Sequence, residues 1–169
     1  HDSYTLFNFA ITYCKGSCAL HLLRYTLGDT LFFRGMKSYA TDTANFKLKN
    51  STIPEFFAKM GSVAGQDLTW FMNAWIYLPN HPTYQNYYNF QNLGSGNYRI
   101  NFVARQTNAG FFPIPMEIKF SFASGADTTV RVMNSVNNQV FSYNFNRQPS
   151  AVVFDPNNMI VIKSVRVVS

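Results

Sequence analysis

Up to about residue 78 the apolar positions recur at three-to-four spacing, and from about Thr83 they recur at every second residue. That change of period predicts a helical half followed by a strand half. The first helical stripe is Phe7, Ile11, Cys14, Cys18, Leu22 and Tyr25, widened by Ala19, Leu20, Leu23 and Leu27 until Gly28 stops it. Asp29 is expected to cap a second helix with Leu31, Phe32, Gly35, Met36 and Tyr39 on its inner face, loosening at the polar run Thr41 to Asn45. Thr52 and Glu55, three residues apart, can satisfy each other's backbone donors as a capping box, and Pro54 suits the first turn. This third helix buries Ile53, Phe56, Phe57, Met60 and Ala64 and closes at Gly65. A fourth starts at Asp67, buries Leu68, Phe71, Met72, Trp75 and Ile76, and ends at Pro79 and Pro82.

In the second half Tyr98, Ile100, Phe102 and Ala104 alternate with polar neighbours, as do Met116, Ile118, Phe120 and Phe122, and Phe141, Tyr143 and Phe145. Segments near Thr83–Phe90, Thr128–Met133, Ala151–Phe154 and Ile160–Val167 bring the strands to about seven, separated by turn signals such as Ser95-Gly96, Ser124-Gly125 and Asp155-Pro156. The expected fold class is α+β. A helical subdomain of about four helices, residues 1–79, precedes an immunoglobulin-like antiparallel β-sandwich of about seven strands, residues 80–169.

Composition narrows the function classes. Of 169 residues 47% are hydrophobic, enough for a core, while only 13% are charged and Asn, Ser, Thr and Tyr carry much of the polarity. That balance suggests an extracellular or cell-envelope protein. No targeting signal opens the chain, so any such signal is expected outside it. Arg24, Asp29 and Arg34 interrupt the most apolar region, so no membrane span is expected and the chain should be soluble. A formal charge of +6 is spread from Lys15 to Arg166 without a cluster, which argues against a nucleic-acid partner. Cys14 and Cys18 lie one helical turn apart and are read as two small buried apolar side chains, without disulfide geometry.

No self-contained active site emerges from the residues. His1, His21 and His81 are far apart and none lies in H-E-x-x-H, no G-x-S-x-G elbow occurs, and Gly94-Ser95-Gly96 lies between strands rather than before a helix. Taken singly, Tyr13 reads as a core tyrosine, Trp70 and Trp75 as core packing, His21 as an interior or edge histidine and His81 as a loop residue.

In sequence context Tyr13 reads differently. Thr12-Tyr13-Cys14-Lys15-Gly16 is followed by Leu20, Leu23-Arg24, Leu27-Gly28-Asp29, Phe32-Phe33, Tyr39, the capped helix at Thr52, Val63-Ala64-Gly65-Gln66-Asp67-Leu68, Trp70-Phe71, Trp75-Ile76-Tyr77 and His81-Pro82. In order and spacing this resembles the gluzincin zinc aminopeptidases, the alanyl aminopeptidase and leukotriene hydrolase family. Arg105-Gln106 and Phe112-Pro113-Ile114-Pro115 extend the resemblance into the sandwich.

The resemblance implies a metallopeptidase that hydrolyses amino-terminal residues from a peptide substrate. The tyrosine of Tyr-x-Lys-Gly, here Tyr13, is then the catalytic residue whose phenol donates to the oxyanion formed at the scissile carbonyl. Its ordinary pKa near 10 keeps that proton in place at neutral pH. Lys15 is expected to face away or pair with a carboxylate, and Gly16 to let a neighbouring helix approach. The family's zinc is held by two histidines of H-E-x-x-H and a later glutamate, which precede the tyrosine and are absent here. Zinc therefore belongs to the parent protein, the upstream catalytic subdomain is a required partner, and the chain alone is expected to be inactive. Either the polypeptide is a trimmed region of an active enzyme, or the full protein is a degenerate member serving as a non-catalytic peptide- or carbohydrate-binding scaffold.

Overall fold

The computed structural model describes residues 9–161 and 163–168; the expected contribution of Phe7 lies outside the described residues. The chain divides into two compact units, His1–Pro79 and Asn80–Ser169.

In the first unit a π-helical stretch, Phe9–Cys14, runs directly into α1 (Lys15–Leu27), followed by α2 (Asp29–Thr41), α3 (Ile53–Ala64) and the short α4 (Thr69–Phe71), which continues as a second π-helical stretch, Met72–Tyr77. Gly28 turns the chain between α1 and α2 at φ 77°, and its N–H donates to the Arg24 carbonyl at 2.8 Å. Asp29 does not cap α2: Gly28 holds the cap position, and the Asp29 carboxylate pairs with the Arg24 guanidinium through two hydrogen bonds of 2.8 Å. A carboxylate in the first turn still complements the helix dipole. The capping box forms as expected. The Thr52 N–H donates to Glu55 Oε2 at 2.7 Å, the Glu55 N–H donates to Thr52 Oγ1 at 3.4 Å, and Gly65 closes α3 in the left-handed region.

The core of this unit is Leu22, Leu23, Met60, Leu68, Phe71 and Trp75. α2 packs closely on α3 because Gly35 has no side chain: a β-carbon there would lie 2.7 Å from Met60 Sδ. Burial on α1 begins only at Ala19. Cys14 is exposed and Cys18 half-buried, both as free thiols, contrary to the reading of the pair as buried. The stripe has the right period, but at Cys14 no element among the described residues covers it.

The second unit carries β1 (Thr83–Gly94), β2 (Asn97–Ala104), β3 (Ile114–Phe122), β4 (Thr128–Asn134), β5 (Gln139–Phe145), β6 (Pro149–Phe154) and β7 (Ser164–Val168). They form a four-stranded sheet in the order β5-β2-β1-β7 and a three-stranded sheet in the order β4-β3-β6. The alternation read from the sequence decides which side chains face inward: Ile100, Phe102 and Ala104 from one sheet meet Ile114, Met116, Ile118 and Phe120 from the other, all fully buried. Aromatic contacts bridge the layers, with Phe102 stacked on Phe154 at 6.3 Å, Tyr84 against Phe154 at 4.7 Å and Phe120 against Tyr143 at 5.1 Å.

The sandwich is not wholly antiparallel. β7 runs parallel to β1, from Thr83↔Ser164 to Tyr87↔Val168. The chain reaches it from β6 through a turn organised by the buried Asp155 carboxylate. That carboxylate accepts from the Met159 and Ile160 N–H groups at 2.8 and 3.0 Å and pairs with Lys163 Nζ at 2.6 Å. The turn occupies the residues before Ser164, so the last strand starts there rather than at Ile160, and Ile160 is buried outside any strand. Among the described residues no helix is long and apolar enough to cross a membrane.

Candidate functional site

Tyr13 is the penultimate residue of the first π-helical stretch, immediately ahead of α1. Its side chain is 53% exposed and its ring stacks on Phe9 with 6.1 Å between centroids. Beside it runs an open groove of about 710 Å³, with Tyr13, Gly16, Leu20, Ile53, Phe56 and Ile76 among its lining residues. The tyrosine is therefore not a core residue of this unit. A phenol in that position can donate a hydrogen bond to an acceptor held in the groove while its ring rests on apolar neighbours.

Local chemistry fixes each wall. Ser17 Oγ donates to the Cys14 carbonyl at 2.9 Å, where the π-helical winding gives way to α-helix. The Thr52–Glu55 box starts α3 and so places Ile53 and Phe56. The Thr52 backbone N–H and then its side chain hold the Glu55 carboxyl below the usual carboxylate range.

Lys15 neither faces away nor meets a carboxylate. Its ammonium donates to the carbonyls of Ile76 and Leu78 at 3.0 and 3.1 Å, 61 and 63 residues along the chain. The last turn of a helix leaves carbonyls without intrahelical donors, and a cation there also complements the dipole. Among the described residues no helix approaches Gly16, where a β-carbon would meet nothing within 4 Å. Trp75 is buried and stacked on Phe71 at 6.2 Å, as core packing. Trp70 touches Phe71 edge-on at 5.6 Å. His81 sits ahead of β1 with Nε2 3.2 Å from Ser164 Oγ.

The described residues do not fit a zinc ion of their own, because no group of three or more His, Cys, Asp or Glu side chains among them could hold a metal. The partners of Lys15 that sequence reasoning missed are the Ile76 and Leu78 carbonyls. A backbone acceptor leaves no mark in residue identity; Pro79, which ends the helix and lacks an N–H, was the nearest available signal.

Comparison with known proteins divides along the same line as the fold. Residues 1–75 match the Peptidase family M1 domain. An aminopeptidase N of Lactococcus lactis subsp. lactis is 35% identical over 78 residues, which cover 46% of this chain and 9% of that protein. An aminopeptidase N of Lactobacillus helveticus is 30% identical over 81 residues, 48% of this chain and again 9% of the relative. The chain thus spans less than a tenth of the length of the curated relatives it matches. Among solved structures, Legionella pneumophila aminopeptidase A in complex with aspartic acid superposes with a TM-score of 0.65 and 17% identity, over 90% of this chain and 17% of that one. At that identity the likeness speaks for the fold, and it extends through the sandwich. The match of residues 1–75 to the Peptidase family M1 domain, the aminopeptidase N relatives and the shared fold together support the resemblance of this chain to the gluzincin aminopeptidases, over part of that domain.

Proposed function

We propose that this chain is the tyrosine-bearing portion of a zinc-dependent aminopeptidase, in which the Tyr13 phenol donates a hydrogen bond to the oxyanion formed when the carbonyl of an amino-terminal peptide bond becomes tetrahedral. The observation that carries this reading is the coincidence of two facts. Tyr13 lies inside the segment matched by the M1 model, and its side chain stands half-exposed on the wall of an open groove.

A neutral phenol stabilises developing negative charge without itself becoming charged, and its rigid stem keeps the donor in place before the reaction starts. The groove beside it is lined chiefly by apolar side chains, which suits binding of peptide side chains and exclusion of water. The zinc ligands and the general base are assigned to the upstream subdomain of the parent polypeptide, so the chain by itself is inactive. The low charge content supports an exported parent.

The test is Tyr13→Phe in the full-length peptidase. Loss of one oxyanion donor lowers kcat by about a hundredfold to a thousandfold with little change in KM. Turnover equal to that of the unaltered enzyme would remove Tyr13 from the chemistry.

A further inference from the structure

The proposed role of Tyr13 leaves the rest of the Tyr-x-Lys-Gly sequence without a task, and the geometry points to one for the lysine: we propose that Lys15 is a positioning residue that holds the Tyr13 phenol in register by clamping its helix to the far end of the same unit. This rests on the reading of Tyr13 given above.

Tyr13 itself lies in a poor place to be rigid. It belongs to a six-residue π-helical stretch, a winding with weaker intrinsic preference than the α-helix, and the cap position of α1, Cys14, makes no side-chain capping bond. Its ring is half-exposed and rests on Phe9, whose own ring is 74% exposed. Burial on α1 begins only at Ala19, six residues on. Among the described side chains of this stretch, Phe9, Tyr13 and Cys14 are exposed, so their apolar packing does little to fix the phenol.

The Lys15 ammonium supplies what packing does not. Its two bonds, at 3.0 and 3.1 Å, reach the Ile76 and Leu78 carbonyls, where the second π-helical stretch ends ahead of Pro79. The carbonyls have a charged donor in place of the N–H groups that a continuing helix would have provided, and charge-assisted bonds of this kind are the stronger class. Ile76 also lines the groove beside Tyr13. The clamp thus joins the turn bearing the phenol to the wall that faces it, and Trp75, buried next to Ile76, anchors that wall in the core. A nonpolar stem of equal length at position 15 would leave the fold's core untouched and release only this connection.

The experiment is a double-mutant cycle in the full-length peptidase with Lys15→Met, Lys15→Arg and Tyr13→Phe, each checked for an unchanged circular dichroism spectrum and followed by kcat and KM separately. Lys15→Met is expected to lower kcat about tenfold or more with KM nearly unchanged, the mark of a misplaced catalytic group rather than a lost binding contact. Lys15→Arg, which retains charge and donors, is expected to return kcat to within about threefold of the unaltered enzyme. In the Tyr13→Phe background, Lys15→Met should cost little further, because a positioning residue has nothing left to position. Fully additive losses, or an unchanged kcat in Lys15→Met while Tyr13→Phe is impaired, would overturn the positioning role and leave the reading of Tyr13 standing. An unimpaired Tyr13→Phe would remove both. Should Lys15→Met fail to fold, Lys15→Gln, which keeps a neutral donor, takes its place in the cycle: a lowered kcat with KM nearly unchanged supports the positioning role, and an unchanged kcat overturns it.

Discussion

Three hydrogen bonds converge on the side chain of Gln106. Its Nε2 donates to the Tyr84 hydroxyl at 3.1 Å and to the Phe112 carbonyl at 2.9 Å, and its Oε1 accepts from the Phe112 N–H at 2.9 Å. The backbone of the same residue exchanges two further bonds with Asn137, both 2.8 Å. One buried amide therefore closes the connection between β2 and β3 and satisfies polar groups that no water reaches. Burial raises the Tyr84 hydroxyl far above its ordinary pKa, with the bond from Gln106 acting in the opposite sense. Replacing Gln106 with Leu keeps the volume but removes its three side-chain hydrogen bonds to Tyr84 and Phe112. The sandwich should lose about 2 to 4 kcal/mol, read as a lower urea midpoint at unchanged slope. A loss within about 0.5 kcal/mol, the range of ordinary surface changes, would mean that the loop closes without that amide. The contrast between Tyr84 and Tyr13 is instructive: the same residue type is sealed in one unit and half-exposed in the other. Residue identity did not separate them. Tyr84 fell within the segment expected as a strand, whereas Tyr13 was set apart only by the family pattern around it, because helical period alone assigns it to the stripe's neighbourhood whether or not anything covers that stripe.

Between α2 and α3 the chain is held by a second polar centre. Asp42 follows the end of α2; its Oδ1 accepts from the N–H groups of Ala44 and Asn45 at 3.1 and 3.0 Å, and its Oδ2 pairs with Lys59 of α3 at 3.0 Å. The Lys59 bond first, then the two from Asn45, hold the Asp42 carboxyl down at about 2 from an ordinary 3.8. A carboxyl whose folded pKa is depressed favours the folded state fully above its unfolded pKa, and that contribution disappears as pH falls through the folded value. The stability difference between the unaltered chain and Asp42→Asn should therefore be constant above about pH 5 and shrink between about pH 4 and pH 2, as followed by urea midpoints. A difference independent of pH over that window would show that Asp42 acts through shape and not through charge. Elements of this kind were legible to different depths. The capping box at Thr52 and the stop at Gly65 could be read directly, since every group involved lies within a few residues. The strand alternation was equally local. What escaped was non-local: the Asp29 carboxylate bonding back to Arg24 instead of capping, the Lys15 ammonium reaching carbonyls more than sixty residues away, and the parallel seating of β7, whose register depends on a turn built around Asp155.

At the scale of the molecule, two units of different period meet at Pro79, and the evidence for function is unevenly divided between them. The family match lies in the helical unit, which carries the groove and Tyr13; the sandwich shares a fold with a solved aminopeptidase. The chain covers 9% of the relatives it matches, and in the proposed reading this segment contributes one donor, and the clamp that holds it, to the reaction of a larger protein. A donor aimed at the tetrahedral state has a signature that packing residues lack: it discriminates between ligands by shape at the reacting carbon. The most direct measurement is the effect of Tyr13→Phe, in the full-length peptidase, on affinity for a phosphinic peptide with a tetrahedral centre, compared with affinity for the amino acid released as product. The account predicts that the tetrahedral ligand binds about a hundredfold more weakly while the product binds within about threefold of its original affinity. Equal weakening of both, or of neither, would contradict it.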